Sequence, residues 1–576
     1  MTLSVRRVIK SKPAFGTLVV VIYATLAIWS TWPLARCPTT CLPTGTSDSL
    51  TVPMFNLWTI WWNAEGFLQG TNSYWNAPIF HPTPNTFAFS EPQTTTILMA
   101  PLFWFTQSRV LAYNIYLWFA LLLNGLFAFL LLRKLNVNRS IAIVGGAMLL
   151  LLPIVHWQQD VLQLTPLWGI LWTWIVLLKI SRSSSLFLGA ELGVAFGLTF
   201  LTCSHQGFFL AVLLLGAAGT LWKRLLNPNL WATLVIGICV AAVMTGPVVF
   251  HLRKASEENS FKRHPMTVLQ LSALPGDYTA SKGRQLIEFD ICAARDQSRL
   301  SPGWFKAGFA MIGVILGLKR KRWRWWTMFM LITMLLAFLL SLGPNLLIYE
   351  WRPWWTLTEY CPGFSLVRNV FRFAFFVQMT IALLAAQGLY GAFLISRRLC
   401  SRKQQSYIVK PALLILCLIA VFEVFPSEPA LEKIPSAESH AGWIQFIREN
   451  TPPNHAIACF PFAAGFKVKD FETTAKWMYF GTFHGVPLVN GYSGFFPDEY
   501  FDICEAINAE PSSEAVFRKL ADSKVKFLVV QRSWDKKGAF SDTRFDSILI
   551  QSVYSDPVGI DVYRLQRVET SSDQLK

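Results

Sequence analysis

Apolar stretches of near-membrane length recur along the chain, and no other feature restricts its fold as strongly. Eleven stand out, at roughly 14–33, 110–132, 140–155, 163–178, 186–203, 206–222, 229–250, 303–318, 325–348, 373–396 and 411–426. About 20 apolar residues in a helix cross the hydrocarbon core of a bilayer, so each is a candidate span. Of the 576 residues 53% are hydrophobic and only 15% charged, which argues against a soluble enzyme and excludes a disordered, collagenous or coiled-coil chain. The 24 tryptophans suit helices anchored at bilayer interfaces. The first stretch follows Arg6, Arg7, Lys10 and Lys12 as a signal peptide would, but it is long, ends in Trp29 and Trp32, and lacks a small-x-small cleavage site. It reads as a retained anchor.

Basic residues set the expected orientation, because Lys and Arg in short loops are held on the cytoplasmic side. Besides the N-terminal four, the clusters are Arg133, Lys134 and Arg139; Lys179 and Arg182; Lys223 and Arg224; Lys319, Arg320, Lys321, Arg322 and Arg324; and Arg397, Arg398, Arg402, Lys403 and Lys410. They follow every second span and contain no acid. This predicts a cytoplasmic N-terminus at 1–13, a membrane domain over 14–426 with a long first outer loop at 34–109, and an extracytoplasmic remainder. The net charge of +17 then carries no sign of nucleic acid: the clusters hold 21 of the 51 basic residues, and the rest of the chain has 30 against 34 acids.

Residues 427–576 differ in composition. Helix-like stretches at 441–450 and 512–523 alternate with β-rich runs at 456–460, 525–530 and 559–565, which predicts a small α/β domain after a Pro-Ser-Glu-Pro linker. No internal repeat is visible, which weakens a transporter built from duplicated halves. Ten cysteines are scattered without zinc-site spacing, so no motif supports a metal, and the cofactor is left open. Cys37 and Cys41 are close enough in sequence to bridge on the outer side.

The candidate chemistry gathers on the expected outer side. Asp48 follows the first span in Gly-Thr-Ser-Asp-Ser-Leu, ahead of an aromatic stretch, Phe55–Trp62, that the pattern would lay along the membrane surface. The bland alternative makes Asp48 a helix N-cap. Glu91, in Phe-Ser-Glu-Pro, opens the helix-like 94–105 segment, and Glu65 reads as a solvated helix residue. At the second outer turn, four-residue spacing would set His156 and Asp160 on one helical face; His205 lies at the next outer turn. Ser204 beside His205 is not a triad, and no Gly-x-Ser-x-Gly is present, so nucleophilic hydrolysis is rejected. Arg368 and Arg372, at helical spacing by a span mouth, suit bidentate contact with phosphate, with snorkelling or a buried carboxylate as the alternative. Lys262, Arg263 and His264 form a second basic group, and Glu191 is an ionisable residue within a span. Asn490-Gly491-Tyr492 reads as a tight turn, and Phe495, Phe496 and Tyr500 as core, a sugar-stacking surface or a docking face.

The chain resembles the GT-C superfamily of polytopic membrane glycosyltransferases, and within it a group of bacterial multi-pass proteins. The likeness is carried by Leu57-Trp58 to Trp61-Trp62, Ala112-Tyr113-Asn114, Leu342-Gly343-Pro344, Pro362-Gly363-Phe364-Ser365 with Arg368 and Arg372-Phe373, and Val489-Asn490-Gly491-Tyr492-Ser493-Gly494. The resemblance implies a polytopic α-helical membrane protein of about eleven spans with a small α/β extracytoplasmic C-terminal domain, in the cell (inner) membrane. It implies hexosyl or pentosyl transfer from a polyprenyl-phosphate donor to an extracytoplasmic acceptor. Asp48 would then be the catalytic carboxylate, assisted by Asp160 or Glu91, with Arg368 and Arg372 on the donor phosphate and His156 and His205 nearby. Single acids stand where some relatives have Asp-Asp, Glu-Asp or Asp-Glu pairs. The competing readings are a transporter or flippase, which would carry paired charges deep in several spans, and a non-catalytic scaffold with the same fold.

Overall fold

The computed structural model describes residues 12–45, 48–287, 295, 299–510, 513–535, 540 and 544–568. Arg6, Arg7, Lys10, Cys292 and Ser512 lie outside the described residues. Among the described residues, seven helices are long and apolar enough to cross a membrane: Arg109–Lys134, Arg139–Trp157, Leu162–Ile180, Ser204–Arg224, Pro228–Glu258, Lys321–Ser341 and Val370–Leu399. That is the make-up of a multi-pass membrane protein. The other four predicted spans hold shorter apolar helical stretches, Ala14–Ser30, Leu186–Thr202, Trp304–Lys319 and Lys410–Phe422.

The chain divides into two compact units. The first runs up to Arg36 and adds Ile115–Pro247 and Lys262–Pro429; the second comprises Cys37–Asn114, Val248–Phe261 and the residues from Ala430 onward.

In the first unit, helix starts are fixed by side-chain caps. Asn138 accepts from the Ile141 amide at 2.9 Å, and Ser185 accepts from the Leu188 amide at 3.2 Å, each satisfying a donor the helix leaves free. The helices Trp304–Lys319 and Ala374–Leu399 approach through glycine: a Cβ on Gly313 would strike the Leu384 carbonyl, and one on Gly388 the Phe309 carbonyl. Small residues permit such backbone contact, and lipid offers no hydrophobic drive to restore it once lost. Gly388→Val is expected to cost at least the roughly 1–3 kcal/mol of ordinary overpacking, because the obstacle is backbone. The check is the thermal unfolding midpoint in detergent, where Gly308→Ala, which meets open space, serves as control.

The second unit is α/β. Its four-stranded sheet has the order Ala456–Phe460, Val525–Gln531, Ile560–Arg567, Ile548–Asp556, with the first pair parallel and the others antiparallel. The strand Ile548–Asp556 has no counterpart among the predicted runs. Ala456–Phe460 is buried along its whole length, as an unbroken apolar strand should be. Helix Glu514–Asp522 turns Val516, Phe517 and Leu520 inward. A short antiparallel ribbon joins Cys41–Pro43 to Leu431–Lys433, and Cys37 and Cys41 form a disulfide beside it.

Two expectations fail in this unit, and among the readings of a third motif packing holds. Phe55–Trp62 does not lie along a surface: the helix Thr51–Glu65 leaves only Val52 and Glu65 partly exposed. A helix apolar on all sides is a buried helix, and this one packs against Glu472–His484. Asn490 is not in a tight turn; fully buried, its amide brackets the Cys459 backbone, accepting from N at 2.7 Å and donating to O at 2.8 Å. It thereby satisfies a strand residue in place of a neighbouring strand. Phe495 stacks on Phe261 at 4.2 Å, Phe496 packs on Phe80 and Tyr500 is buried, so these rings are packing residues.

Candidate functional site

Asp48 and Glu91 belong to the second unit; His156, Asp160, His205, Arg368 and Arg372 belong to the first.

Asp48 is exposed and sits in the left-handed region, φ 45°. It does not cap the following helix: Leu50 holds the N-cap position without a side-chain bond. The residues after it are tightly held. Ser49 donates to Glu472 Oε2 at 3.0 Å, the Thr51 amide donates to Ser49 Oγ at 3.2 Å, and Thr51 Oγ1 donates to the Val468 carbonyl at 2.8 Å. Glu472 also takes a bond from the Leu50 amide, and Lys476 Nζ donates to its other oxygen at 2.8 Å. Burial pushes the Glu472 carboxyl up, but Lys476, Ser49 and the Leu50 amide together hold it below the ordinary carboxylate value. An exposed carboxylate thus stands on an anchored loop at the start of a buried helix. Glu91 is buried in the segment along that helix's flank, where Asn63 donates to the Pro92 carbonyl at 2.7 Å and Gln93 to Asn56 at 2.7 Å.

In the first unit, the geometry of two predicted pairs differs from the helical one. The helix carrying His156 ends at Trp157, so Asp160 lies beyond it in a buried turn. His156 is engaged at both nitrogens, Nε2 with the Leu150 carbonyl at 3.0 Å and Nδ1 with the Gln159 amide at 2.6 Å, which gives it a structural role. Arg368 and Arg372 do not share a helix face. Arg368 lies in an extended stretch between the short 3-10 turns Phe364–Leu366 and Val370–Phe373, and Arg372 is in the second turn.

The structure nevertheless draws several of these segments together. Arg372 Nη2 donates to Gln158 Oε1 at 3.4 Å, Trp157 and Phe371 rings lie 5.7 Å apart, and Phe209 stacks on Phe373 at 3.8 Å. The turn bearing Asp160 and the helix bearing His205 therefore meet around Arg372. His205 itself rests edge-on against Phe209. Arg263 donates to the Leu366 carbonyl at 3.4 Å, and burial, with the positive charge of Arg368, brings its pKa down to about 9. A concentration of guanidinium groups of this kind suits an anion.

Sequence reasoning missed Glu472, whose partners Ser49 and Leu50 lie over 400 residues earlier, and the buried pair Lys306–Glu423, 3.6 Å apart. The second could have been suspected from two ionisable residues at span ends. Glu191 takes the bland role, paired with Lys179 at 2.7 Å and bonded by Trp172. Among the described residues no group of three or more His, Cys, Asp or Glu comes together as a metal-binding set.

The second unit also has an open pocket of about 730 Å³ whose walls include Trp61, Trp62, Glu65, His81, Arg109 and His484. None of the predicted site residues lines it. Glu65 is no free surface residue there; Trp104 Nε1 donates to it at 2.9 Å. His484 accepts the Val486 amide at Nδ1 and is lowered by burial to about 3, so it is neutral with its proton on Nε2. Because the folded pKa lies below the unfolded 6.5, its stabilising contribution is complete above pH 6.5 and is lost as pH falls toward about 3. Thermal unfolding across this range is expected to show a shallower acid decline in His484→Phe than in wild type.

Apolar membrane-length helices, with a long folded insertion in the chain and an α/β segment after them, make up the fold. Two solved structures share it. The archaeal oligosaccharyltransferase AglB from Archaeoglobus fulgidus, in complex with an inhibitory peptide and a dolichol-phosphate, matches with TM-score 0.53 and 13% identity over 98% of this chain and 75% of that one. The arabinofuranosyltransferase AftD from Mycobacteria matches with TM-score 0.55 and 12% identity over 95% of this chain. Only 41% of AftD is covered, so this chain spans less than half its length. Neither a protein-family model nor a curated protein matches the sequence. At these identities the likeness is one of fold.

Proposed function

We propose that the chain is an integral membrane glycosyltransferase that moves a sugar from a polyprenyl-phosphate-linked donor to an acceptor hydroxyl on the extracytoplasmic face. The observation that carries this is Asp48: an exposed carboxylate, not spent as a helix cap, on a loop that a second carboxylate holds in place. The fold likeness to an oligosaccharyltransferase solved with dolichol-phosphate supports the donor class.

In this reading Asp48 takes the proton of the acceptor hydroxyl as its oxygen attacks the anomeric carbon. The bond from that carbon to the phosphate oxygen breaks, and the polyprenyl phosphate leaves with the electron pair. Arg368 and Arg372 hold the phosphate and stabilise the developing charge. Asp160 or Glu91 assists, and Glu472 acts as a positioning residue through Ser49 and Leu50. His205 belongs to the wall of the donor region, whereas His156 is better read as a structural residue. The same reading takes the shorter helices as spans too, giving eleven, with the N-terminus cytoplasmic, 427–576 extracytoplasmic, and the cell membrane as location.

The test is sugar transfer by purified protein in nanodiscs with a panel of polyprenyl-phosphate sugars. Wild type is expected to turn over at least one donor, Asp48→Asn to lose transfer while still binding it, and Arg368→Ala to raise KM for it. Normal transfer by Asp48→Asn would overturn the assignment. No wild-type turnover combined with transbilayer movement of the same lipids would favour a flippase.

A further inference from the structure

Large apolar side chains left exposed on the second unit, away from its membrane-length helices, are concentrated between residues 67 and 105. Phe67 is 58% exposed, Leu68 66%, Leu98 60%, Trp104 42% and Phe105 90%. Elsewhere among the described residues of this unit, the exposed large hydrophobics are Val249 and Phe250, inside the membrane-length helix Pro228–Glu258, and the isolated Phe466 and Val558.

The segments that bear these five residues are packed against the helix Thr51–Glu65 or against one another. Phe67 and Leu68 lie two and three residues after Glu65, and Glu65 is tied to Trp104 by the 2.9 Å bond from the indole nitrogen. The helix Ala100–Thr106 turns Ala100 and Phe103 inward and leaves Trp104 and Phe105 outside, and it follows on the 3-10 turn that bears Leu98. The guanidinium of Arg109 lies over the Phe103 ring at 5.0 Å, which fixes this short helix against the start of the apolar helix Arg109–Lys134. Only three residues separate Phe105 from Arg109, at most about 14 Å of extended chain. The apolar patch is therefore at the root of a helix built to enter a bilayer.

We infer that Phe67, Leu68, Leu98, Trp104 and Phe105 form an interfacial anchor that inserts into the headgroup–acyl boundary of the membrane beside the span starting at Arg109. Contiguous apolar patches of this kind mark interaction surfaces. Lipid is the fitting occupant because the patch is continuous along the chain with a membrane-length helix, and because it includes an indole whose nitrogen is satisfied while its ring stays outside, the disposition favoured at bilayer interfaces. The aromatic stretch that would be chosen from hydropathy, Phe55–Trp62, is core; the membrane contact is made by the residues that follow it. The inference stands independently of the proposed reaction.

The test is photo-crosslinking of the full chain in native membranes and in phospholipid vesicles, with p-benzoylphenylalanine replacing Phe105, Phe67 or, as control, Val558. Mass spectrometry is expected to find phospholipid adducts at positions 105 and 67 and few at 558. Adducts chiefly to a second copy of the chain or to another protein would overturn the inference, as would equal lipid labelling at 558. Should the Phe105 variant fail to fold, as judged by its unfolding midpoint, position 67 decides alone.

Discussion

Glu423→Ala is expected to destabilise the first unit by about 3–5 kcal/mol, the range for breaking a buried ion pair from one side. Both partners are withdrawn from solvent: Lys306 is 0% exposed and Glu423 4%. The carboxylate faces the Lys306 ammonium at 3.6 Å and also accepts from the backbone amides of Phe305 at 2.6 Å and Lys306 at 3.1 Å. It thus serves as the N-terminal cap of the helix Trp304–Lys319, supplied from the end of Lys410–Phe422 rather than from the helix's own approach. Truncation to Ala strands a buried ammonium and leaves those amides without their acceptor. The double change Lys306→Met with Glu423→Gln removes both charges but keeps an acceptor for the amides, so it is expected to recover most of the loss. Thermal and denaturant unfolding in detergent measure all three proteins. Unfolding of Glu423→Ala with the wild type would show that the pair contributes nothing, and failure of the double variant to recover would assign the loss to packing.

This pair also shows where sequence legibility ends. Hydropathy placed the apolar helices because burial in lipid demands length and composition, both of which are local. It did not reveal which apolar helix is core. Phe55–Trp62 is as apolar as a membrane-surface stretch, and its burial depends in large part on Glu472–His484, over 400 residues later. Spacing arguments failed where they assumed a helix. Pro362 and Gly363, with φ 91°, keep the approach to Arg368 non-helical, and Gln158 ends the helix before Asp160. Asn490-Gly491 has the composition of a tight turn, but the Asn amide bonds to the Cys459 backbone instead, a partner that local composition does not reveal. The site residues were legible as chemical types on one expected side of the membrane; the support beneath Asp48 was not, because it is a tertiary contact.

That support makes the largest catalytic prediction divisible. If Asp48 is the general base, Asp48→Asn is expected to lower transfer by about 10²–10⁴-fold, the usual share of positioned proton transfer. Glu472→Gln leaves Asp48 intact and weakens the grip on Ser49 and Leu50, since a neutral amide attracts Lys476 and accepts the backbone bond less strongly. It should reduce kcat more than it raises donor KM, and speed amide hydrogen exchange at Leu50. The two changes share one pathway, so in a double-mutant cycle Glu472→Gln should add little once Asp48 is Asn, a coupling of ~0.5–3 kcal/mol. Acid provides a second handle. Because the folded Glu472 carboxyl lies below its ordinary value, the anchoring is complete at neutral pH and is lost as pH falls through the folded value. Wild type should therefore show Leu50 protection, measured against the intrinsic exchange rate at each pH, fall on acidification in a way that Glu472→Gln lacks. Exchange that responds while transfer does not would keep Glu472 as an anchor of the loop but remove Asp48 from the chemistry. Transfer that falls with no change in exchange would place Glu472 in a role separate from the loop.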